Sequence, residues 1–405
     1  MKYRRIMSIT KFRTALAVIM AFLLPTAARA YDFAVDGIYY NVKDGQAIVT
    51  NGGWTYCYNG YIWIPDHVAH DGMTYPVVAI DNSTFIHCAI TGVSIPNTVT
   101  SIGEWAFYDC TSLTVANIPD SITRIEKYTF AYCHGLKQIK VPNSVKTIGM
   151  NAFFDCVNLT SVVMSDSVTT IESGAFEHCT ALASIDLPNT VTSIGHGAFY
   201  NCVGLTSFTI PQSVTQIEYR TFLGCTGLTT MTIPNSVTII EGEAFRDCSN
   251  LDSITIGSGV TEIGNYLLRG CSKLSDVTCL AVTPPTCFGD LFENVDYYSQ
   301  VTLHVRPESL EAYQSAYCWQ EFYQILGDAT GGGDEIPGDV NGDGDVTIAD
   351  ANKVIDVIIN GGGSSHGHNH APQRGDDYFN SCDVNGDGNV SLADLNSIID
   401  IILND

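Results

Sequence analysis

Two stretches near the C-terminus place oxygen-bearing side chains at alternate positions, a spacing that suits a hard divalent cation. The first reads Asp339-Val-Asn341-Gly-Asp343-Gly344-Asp345-Val-Thr347-Ile348-Ala349-Asp350. The second follows 44 residues on, with Asp383, Asn385, Asp387, Gly388, Asn389, Ser391, Leu392, Ala393 and Asp394 in the same slots. An EF-hand-type calcium loop needs side-chain oxygens at positions 1, 3 and 5, a backbone carbonyl at 7, often a water at 9 and a carboxylate at 12. Glycine at 6 permits its sharp turn. Asp339, Asn341, Asp343 and Asp350 are therefore expected to hold one Ca²⁺, with Asp345 through its carbonyl and Thr347 through water. Asp383, Asn385, Asp387, Asn389 and Asp394 are expected to hold a second, with Ser391 at the water position. Position 12 is Asp where sensor loops carry Glu, and no good helix precedes either loop. A helical pattern follows each, over 351–360 and 395–404.

Other chemistry is poorly supported. His366, His368 and His370 sit in a Gly/Ser-rich stretch and read as a solvated tract, with a transition-metal site as the alternative. Glycoside hydrolysis would need two carboxylates about 5–9.5 Å apart in a cleft. The acids Glu104, Glu126, Glu172, Glu218, Glu241 and Glu262 instead recur in similar register, as surface decoration does. His-Glu-x-x-His and P-loop patterns are absent from the sequence. No catalytic residue and no organic cofactor is expected.

The rest of the chain is one sentence repeated. Phenylalanines fall at 85, 107, 130, 153, 176, 199, 222 and 245, with Leu268 next, and a cysteine stands three residues after each. The spacing is 22 once and 23 thereafter, a period that marks a solenoid of stacked coils. In Leu182-Ala-Ser184-Ile185-Asp186-Leu187-Pro188, alternation predicts 182, 185 and 187 facing in and Ser184 and Asp186 facing out. Proline ends the strand because it cannot donate to a ladder. Val191 to Ile194 forms a second extended piece, and the Ala198-Phe199 segment closes the coil as a helical or 3₁₀ turn. Two outward rows follow: Gln138, Ser161, Ser184, Ser207, Thr230 and Ser253, and then Lys140, Val163, Asp186, Thr209, Thr232 and Thr255. They are mostly small hydroxyls, which suit an exposed strand and equally a hydrogen-bonding platform for a glycan or a protein.

Nine of the fourteen cysteines are in phase with the repeat and are expected as a buried ladder of free thiols, since cysteine packs as a small hydrophobe. Cys279 and Cys287, outside the register around Thr283-Pro284-Pro285, are the expected bridge. Cys57, Cys318 and Cys382 are unassigned.

Residues 1–30 read as a secretory signal peptide: a basic lead, an apolar run from Ala15 to Leu24, and Ala28-Arg29-Ala30. No later segment is long and apolar enough to span a membrane. The full chain carries 19 basic and 43 acidic residues. Removing Lys2, Arg4, Arg5, Lys11, Arg13 and Arg29 takes six from 19 and leaves 13, a net of −30. Nucleic acid is excluded as a partner, because phosphate binding requires basic clusters. Residues 31–76, with Asp44-Gly45, Asn51-Gly52-Gly53 and Asn59-Gly60 among β-formers, are expected as a hairpin-rich cap plus a partial repeat. Residues 77–279 form the solenoid, 280–327 a C-terminal cap with a helix near 308–322, 328–338 a linker, and 339–405 the calcium unit.

The loop-and-helix pairs resemble a type I dockerin over 337–405. That resemblance implies a small all-α, calcium-folded plug for a cohesin receptor. Contacts would run through loop positions 10 and 11, here the apolar Ile348, Ala349, Leu392 and Ala393. The pattern Ile-Pro-x-x-Val-x-x-Ile-x-x-x-Ala-Phe-x-x-Cys over 64–279 resembles the BspA-like leucine-rich repeat proteins. It implies a β-rich leucine-rich repeat solenoid that binds host or neighbouring-cell macromolecules from a bacterial surface. A secreted, adhesin-like, non-catalytic binding protein is the expected function. A component of a carbohydrate-degrading complex, an enzyme carried by the dockerin, or a passive spacer are the alternatives.

Overall fold

The computed structural model of the protein describes residues 31–53, 57–291 and 300–329. The expected leader, Cys382, both calcium loops and the partner positions Ile348, Ala349, Leu392 and Ala393 lie outside these residues.

Alternation sets the two faces of each coil. Leu182 and Ile185 are buried, Leu187 is partly buried, and Ser184 and Asp186 are exposed. Coils stack in parallel at an offset of one repeat, so that Gln138, Ile139 and Lys140 pair with Ser161, Val162 and Val163. The second row stacks likewise through Arg124–Ile125, Thr147–Ile148, Thr170–Ile171 and Ser193–Ile194. The result is a β-solenoid of about 10 turns of about 23 residues, with very little helix.

The phenylalanines run through its centre. From Phe85 to Phe245 the rings are buried and lie within 7° of parallel at centroid spacings of 5.0–5.7 Å. The segment around each ring differs from the expected helical or 3₁₀ turn, because its amides alternate between two directions. Ala106, Tyr108 and Cys110 donate back three residues, whereas Trp105, Phe107 and Asp109 donate across to Lys127, Thr129 and Ala131 of the next coil. A continuous helix would keep all these bonds within the segment and leave the coils unjoined. Left-handed backbone at two positions four residues apart holds the alternation, as at Trp105 (φ 60°) and Asp109 (φ 55°).

The cysteine ladder has its own reason. Cys156 Sγ donates to the carbonyl of Phe130 at 3.1 Å and Cys202 Sγ to that of Phe176 at 3.1 Å, each one coil back. The Phe130 carbonyl also accepts the amide of Cys133, so the thiol takes up its second lone pair. Valine could fill the space but not the bond. Burial pushes Cys156 and Cys202 up to about 12, and the thiolate is the reactive form. Iodoacetamide at pH 8 is therefore expected to leave the nine buried free cysteines, Cys110 to Cys279, unlabelled in the folded protein. All nine should be labelled in denaturant, read by peptide mapping; labelling of the folded ladder would contradict this packing.

Two cysteine expectations are corrected. Cys88 is in phase with the ladder but is bonded to Cys57. Cys287 is bonded to Cys318, not to Cys279. Cys279 ends a strand with its side chain inward and fully buried, where it meets the Tyr313 hydroxyl at 3.2 Å. Cys287 lies half-exposed at the edge, where the returning chain brings Cys318.

The N-terminal strands β1 (Phe33–Val35), β2 (Ile38–Lys43) and β3 (Gln46–Thr50) are antiparallel. Asp36-Gly37 and Asp44-Gly45 turn the chain between them with positive φ at both residues, as type I′ hairpins require. β4 (Asn59–Trp63) pairs in parallel with β7 (Ala89–Ser94) and so opens the solenoid face. Asn59-Gly60, expected as a turn, lies inside β4, where Gly60 (φ 69°) sits at a register shift. Between them, β5 (His67–His70) and β6 (Met73–Ile80) form a hairpin over Asp71-Gly72. That hairpin is what interrupts the first repeat. β6 pairs on one side with β3 and on the other with Ser101–Ile102, joining the cap to the second row.

At the other end, Thr302–Val305 and Gln324–Leu326 extend the face in parallel. Among the described residues helix is confined to Pro307–Ser309 and Leu310–Ser315, shorter than the spacing over 308–322 predicts. Trp319 explains the early stop. It is fully buried, its indole nitrogen donates to the Pro285 carbonyl at 2.9 Å, and Tyr313 donates to the Ala281 carbonyl at 2.8 Å. A straight helix could not deliver both rings to those sites.

Candidate functional site

The outward face of the long strand row is the largest surface built by repetition. Register carries it from Tyr61 and Trp63 through Gly92 and Ser94 to Val115, and at the far end to Asp276, Thr302, His304 and Gln324. Its middle is the pair of hydroxyl rows predicted above. Ser161, Ser184, Ser207, Thr209, Thr230 and Thr232 are all exposed. The aromatic end was not singled out in the sequence: Trp63 is 71% and Tyr61 57% exposed.

Among the described residues the face is irregular at two places, between Val115–Ala116 and Gln138–Lys140, where no strand pairing joins the coils, and around Phe208. The inward slot filled by Ile139, Val162, Ile185, Met231 and Ile254 carries Phe208 in one coil. The others are buried, whereas Phe208 is only partly so. Its ring lies between Phe199 and Phe222 at 4.9 and 4.8 Å, tilted 64° and 70°. Phe199 and Phe222 are 5.7 Å apart, the widest step of the ladder. The face splits here. Among the described residues no strand pairing joins 161–163 to 184–187, 184–187 to 207–210, or 207–210 to Thr230–Ile233. The second row also breaks, between Ser193–Ile194 and Gln216–Ile217. A groove of about 550 Å³ lies over the split, with Phe208, Thr209, Thr232 and Thr255 among its walls.

Five of the six periodic acids meet nearby groups. Glu104 pairs with Lys127 at 3.0 Å, Arg124 with Glu126 at 3.1 Å and Glu172 at 2.7 Å, and Glu218 with His196 at 3.6 Å. Glu241 accepts from Gln216 at 3.2 Å. The most buried acid is one sequence reasoning missed. Glu243 receives Arg220 at 2.8 Å, Arg246 at 3.2 Å and the Tyr219 hydroxyl at 3.0 Å. Burial alone would raise its carboxyl, but the bonds from Arg220 and Tyr219 hold it below the usual range. It ties coils together and is closed to a ligand. Among the described residues no group of three or more His, Cys, Asp or Glu could hold a metal ion.

His304 closes the face beside the last described residues. Its Nδ1 meets Asp328 at 2.8 Å and its Nε2 meets Asp276 at 3.1 Å. Only the imidazolium donates to both carboxylates. Burial opposes that charge, but the bonds from Asp328 and Asp276 win and raise the His304 pKa. A raised value gives stability that is complete below the unfolded pKa near 6.5 and lost as pH climbs through the folded one. Hydrogen exchange at 324–329 is therefore expected to quicken as pH rises above about 6.5, beyond the intrinsic chemical trend, and His304→Gln to remove that excess. A profile identical in the variant would show that the imidazolium is not the clasp.

A solenoid with a hydroxyl-lined sheet face, disulfide-capped at both ends over the described residues, defines a class of repeat protein built for surface contact. Residues 78–205 and 192–313 match the BspA type leucine rich repeat region, in 6 copies. The chain belongs to that family. Residues 337–403 match the dockerin type I domain. A leucine-rich repeat protein from Bacteroides ovatus is similar at 27% identity and a TM-score of 0.53, over 73% of this chain and 88% of that one. The pneumococcal vaccine antigen PcpA shares the fold at 17% identity and a TM-score of 0.50, over 68% of this chain and 82% of its own. No curated relative matches. Both matched families are binding domains, typical of extracellular or cell-surface proteins; dockerins partner cohesins and are generally calcium-binding. Among the described residues no helix is long and apolar enough to cross a membrane.

Proposed function

We propose that this is a secreted, adhesin-like bacterial protein without catalytic activity, in which the repeat face recognises a macromolecule on a host or bacterial surface and the dockerin moors the chain. Two calcium ions fold the mooring unit, one held by Asp339, Asn341, Asp343, Asp345 and Asp350, the other by Asp383, Asn385, Asp387, Asn389 and Asp394. Each set is all oxygen and rich in carboxylate, which suits Ca²⁺ over softer metals. Ile348, Ala349, Leu392 and Ala393 present the surface to the cohesin.

What carries this function is the pairing of a solvent-facing, hydroxyl-lined solenoid face with a matched dockerin region on one chain. The full-length protein is expected to capture a cohesin in calcium and release it in EGTA. It is also expected to bind bacterial cells or a host matrix, and to lose that binding when Ser184, Thr232 and Thr255 are replaced together by lysine. Cohesin capture indifferent to EGTA would end the mooring role. Surface binding unchanged by the lysines would leave the solenoid a spacer.

A further inference from the structure

We propose that the groove at the split of the sheet is a binding site for a short neutral oligosaccharide. The inference rests on the reading of this face as the recognition surface and names the ligand that the groove beside Phe208 would take.

The groove lies beside the coil whose inward slot carries Phe208. Five other coils put Ile, Val or Met there and bury it, while the larger ring stays partly exposed at the groove wall. Around it stand Ser207, Thr209, Thr230 and Thr232, all exposed, with Gln212 and Asn235 at one side. The volume of about 550 Å³ lies within the range of small-ligand sites.

The chemistry of the lining selects among ligands. None of the residues that line the groove is ionisable, although the chain carries 43 acidic residues and a net charge of −24. An anion would find no cation here to offset its desolvation, and a cation would be drawn to the acids elsewhere. Hydroxyls that both donate and accept, two carboxamides, and one exposed aromatic ring make a different set. They match a ligand whose equatorial hydroxyls chain hydrogen bonds while its C–H face lies on an aromatic quadrupole. A peptide strand fits less well. Strand addition draws its affinity from main-chain hydrogen bonds along an open edge, whereas this groove is lined by outward side chains of consecutive coils, Thr209, Thr232 and Thr255 among them.

The test is calorimetric titration of the full-length protein with neutral gluco-, manno- and xylo-oligosaccharides of three to six units, with oligogalacturonate as the anionic comparison. At least one neutral series should bind and the anionic one should not. Thr209→Lys, at an exposed position, should weaken binding at least about tenfold, or 1.4 kcal/mol. Phe208→Ile restores the residue type of the neighbouring coils, keeps the fold and should cause a similar loss by closing the wall. No binding by any neutral series, or binding unmoved in both variants, overturns the proposal. If the triple lysine variant loses surface capture while no oligosaccharide binds, the face reading stands and the saccharide falls. If surface capture survives the lysines, the face reading itself falls.

Discussion

Withdrawing calcium is expected to abolish the cooperative unfolding transition of the dockerin region while leaving that of the solenoid in place. From Asp328 to Asp405 the chain has fifteen acidic residues against Lys353 and Arg374. Bringing three or four carboxylates of each loop around one point without a cation is opposed by their repulsion and by their desolvation. The ion's binding energy is then folding energy. At a calcium concentration a thousandfold above the dissociation constant, one site contributes about 4.1 kcal/mol, as much as a unit of that size ordinarily has in reserve. Asp339→Ala with Asp383→Ala should reproduce the effect of EGTA in calcium-replete buffer. Differential scanning calorimetry separates the two transitions. A small transition that persists unchanged in EGTA would mean the loops do not carry the fold of that region.

Phe153→Ala is expected to cost about 3–5 kcal/mol, the range for emptying an aromatic site in a closed core. The ring is fully buried, with parallel neighbours at 5.5 and 5.4 Å. Neither neighbour can collapse onto the space, because each is pinned by its own coil. Coil 153 receives inter-coil bonds from Phe130 and Tyr132, and Asn151, Phe153 and Asp155 donate to the next coil. In a stacked array each coil contacts only its neighbours, so the loss weakens one joint and divides the ladder there. The melting temperature of the solenoid should fall by roughly 6–20 °C at 2–4 °C per kcal/mol. A broadened or split transition should accompany it. A loss below about 1 kcal/mol would place the ring outside the load path. Phe208→Ile, by contrast, should change stability little, since that ring is already partly in solvent.

The same comparison shows what could be read in advance. The positive-φ position two residues after each phenylalanine had a signal: it carries His87, Asp109, Asp155, His178, Asn201, Gly224, Asp247 and Gly270, with Tyr132 the one residue of another kind. Those types tolerate left-handed backbone. The position two residues before had none, since Trp105, Tyr128, Arg220 and Tyr266 adopt it too. There the inter-coil bonds impose a conformation that local preference would not choose. Phe208 also stood in plain sight as the aromatic in an aliphatic slot. Among the described residues no strand pairing joins its coil to the one on either side, and no local pattern announces that.

The chain's letters alone settled what depends on spacing along it: the 23-residue coil and its inward and outward rows. Proximity along the backbone is enough for those, because each is complete within one turn or repeats the turn before. Folding in three dimensions decided which cysteines meet, where the helical expectation gives way to alternating bonds, and where the sheet opens. Each of these depends on what a residue touches one coil or a whole cap away. A disulfide forms between Cys287 and Cys318 rather than Cys279 because the buried strand turns one thiol inward and the returning chain brings another to the edge.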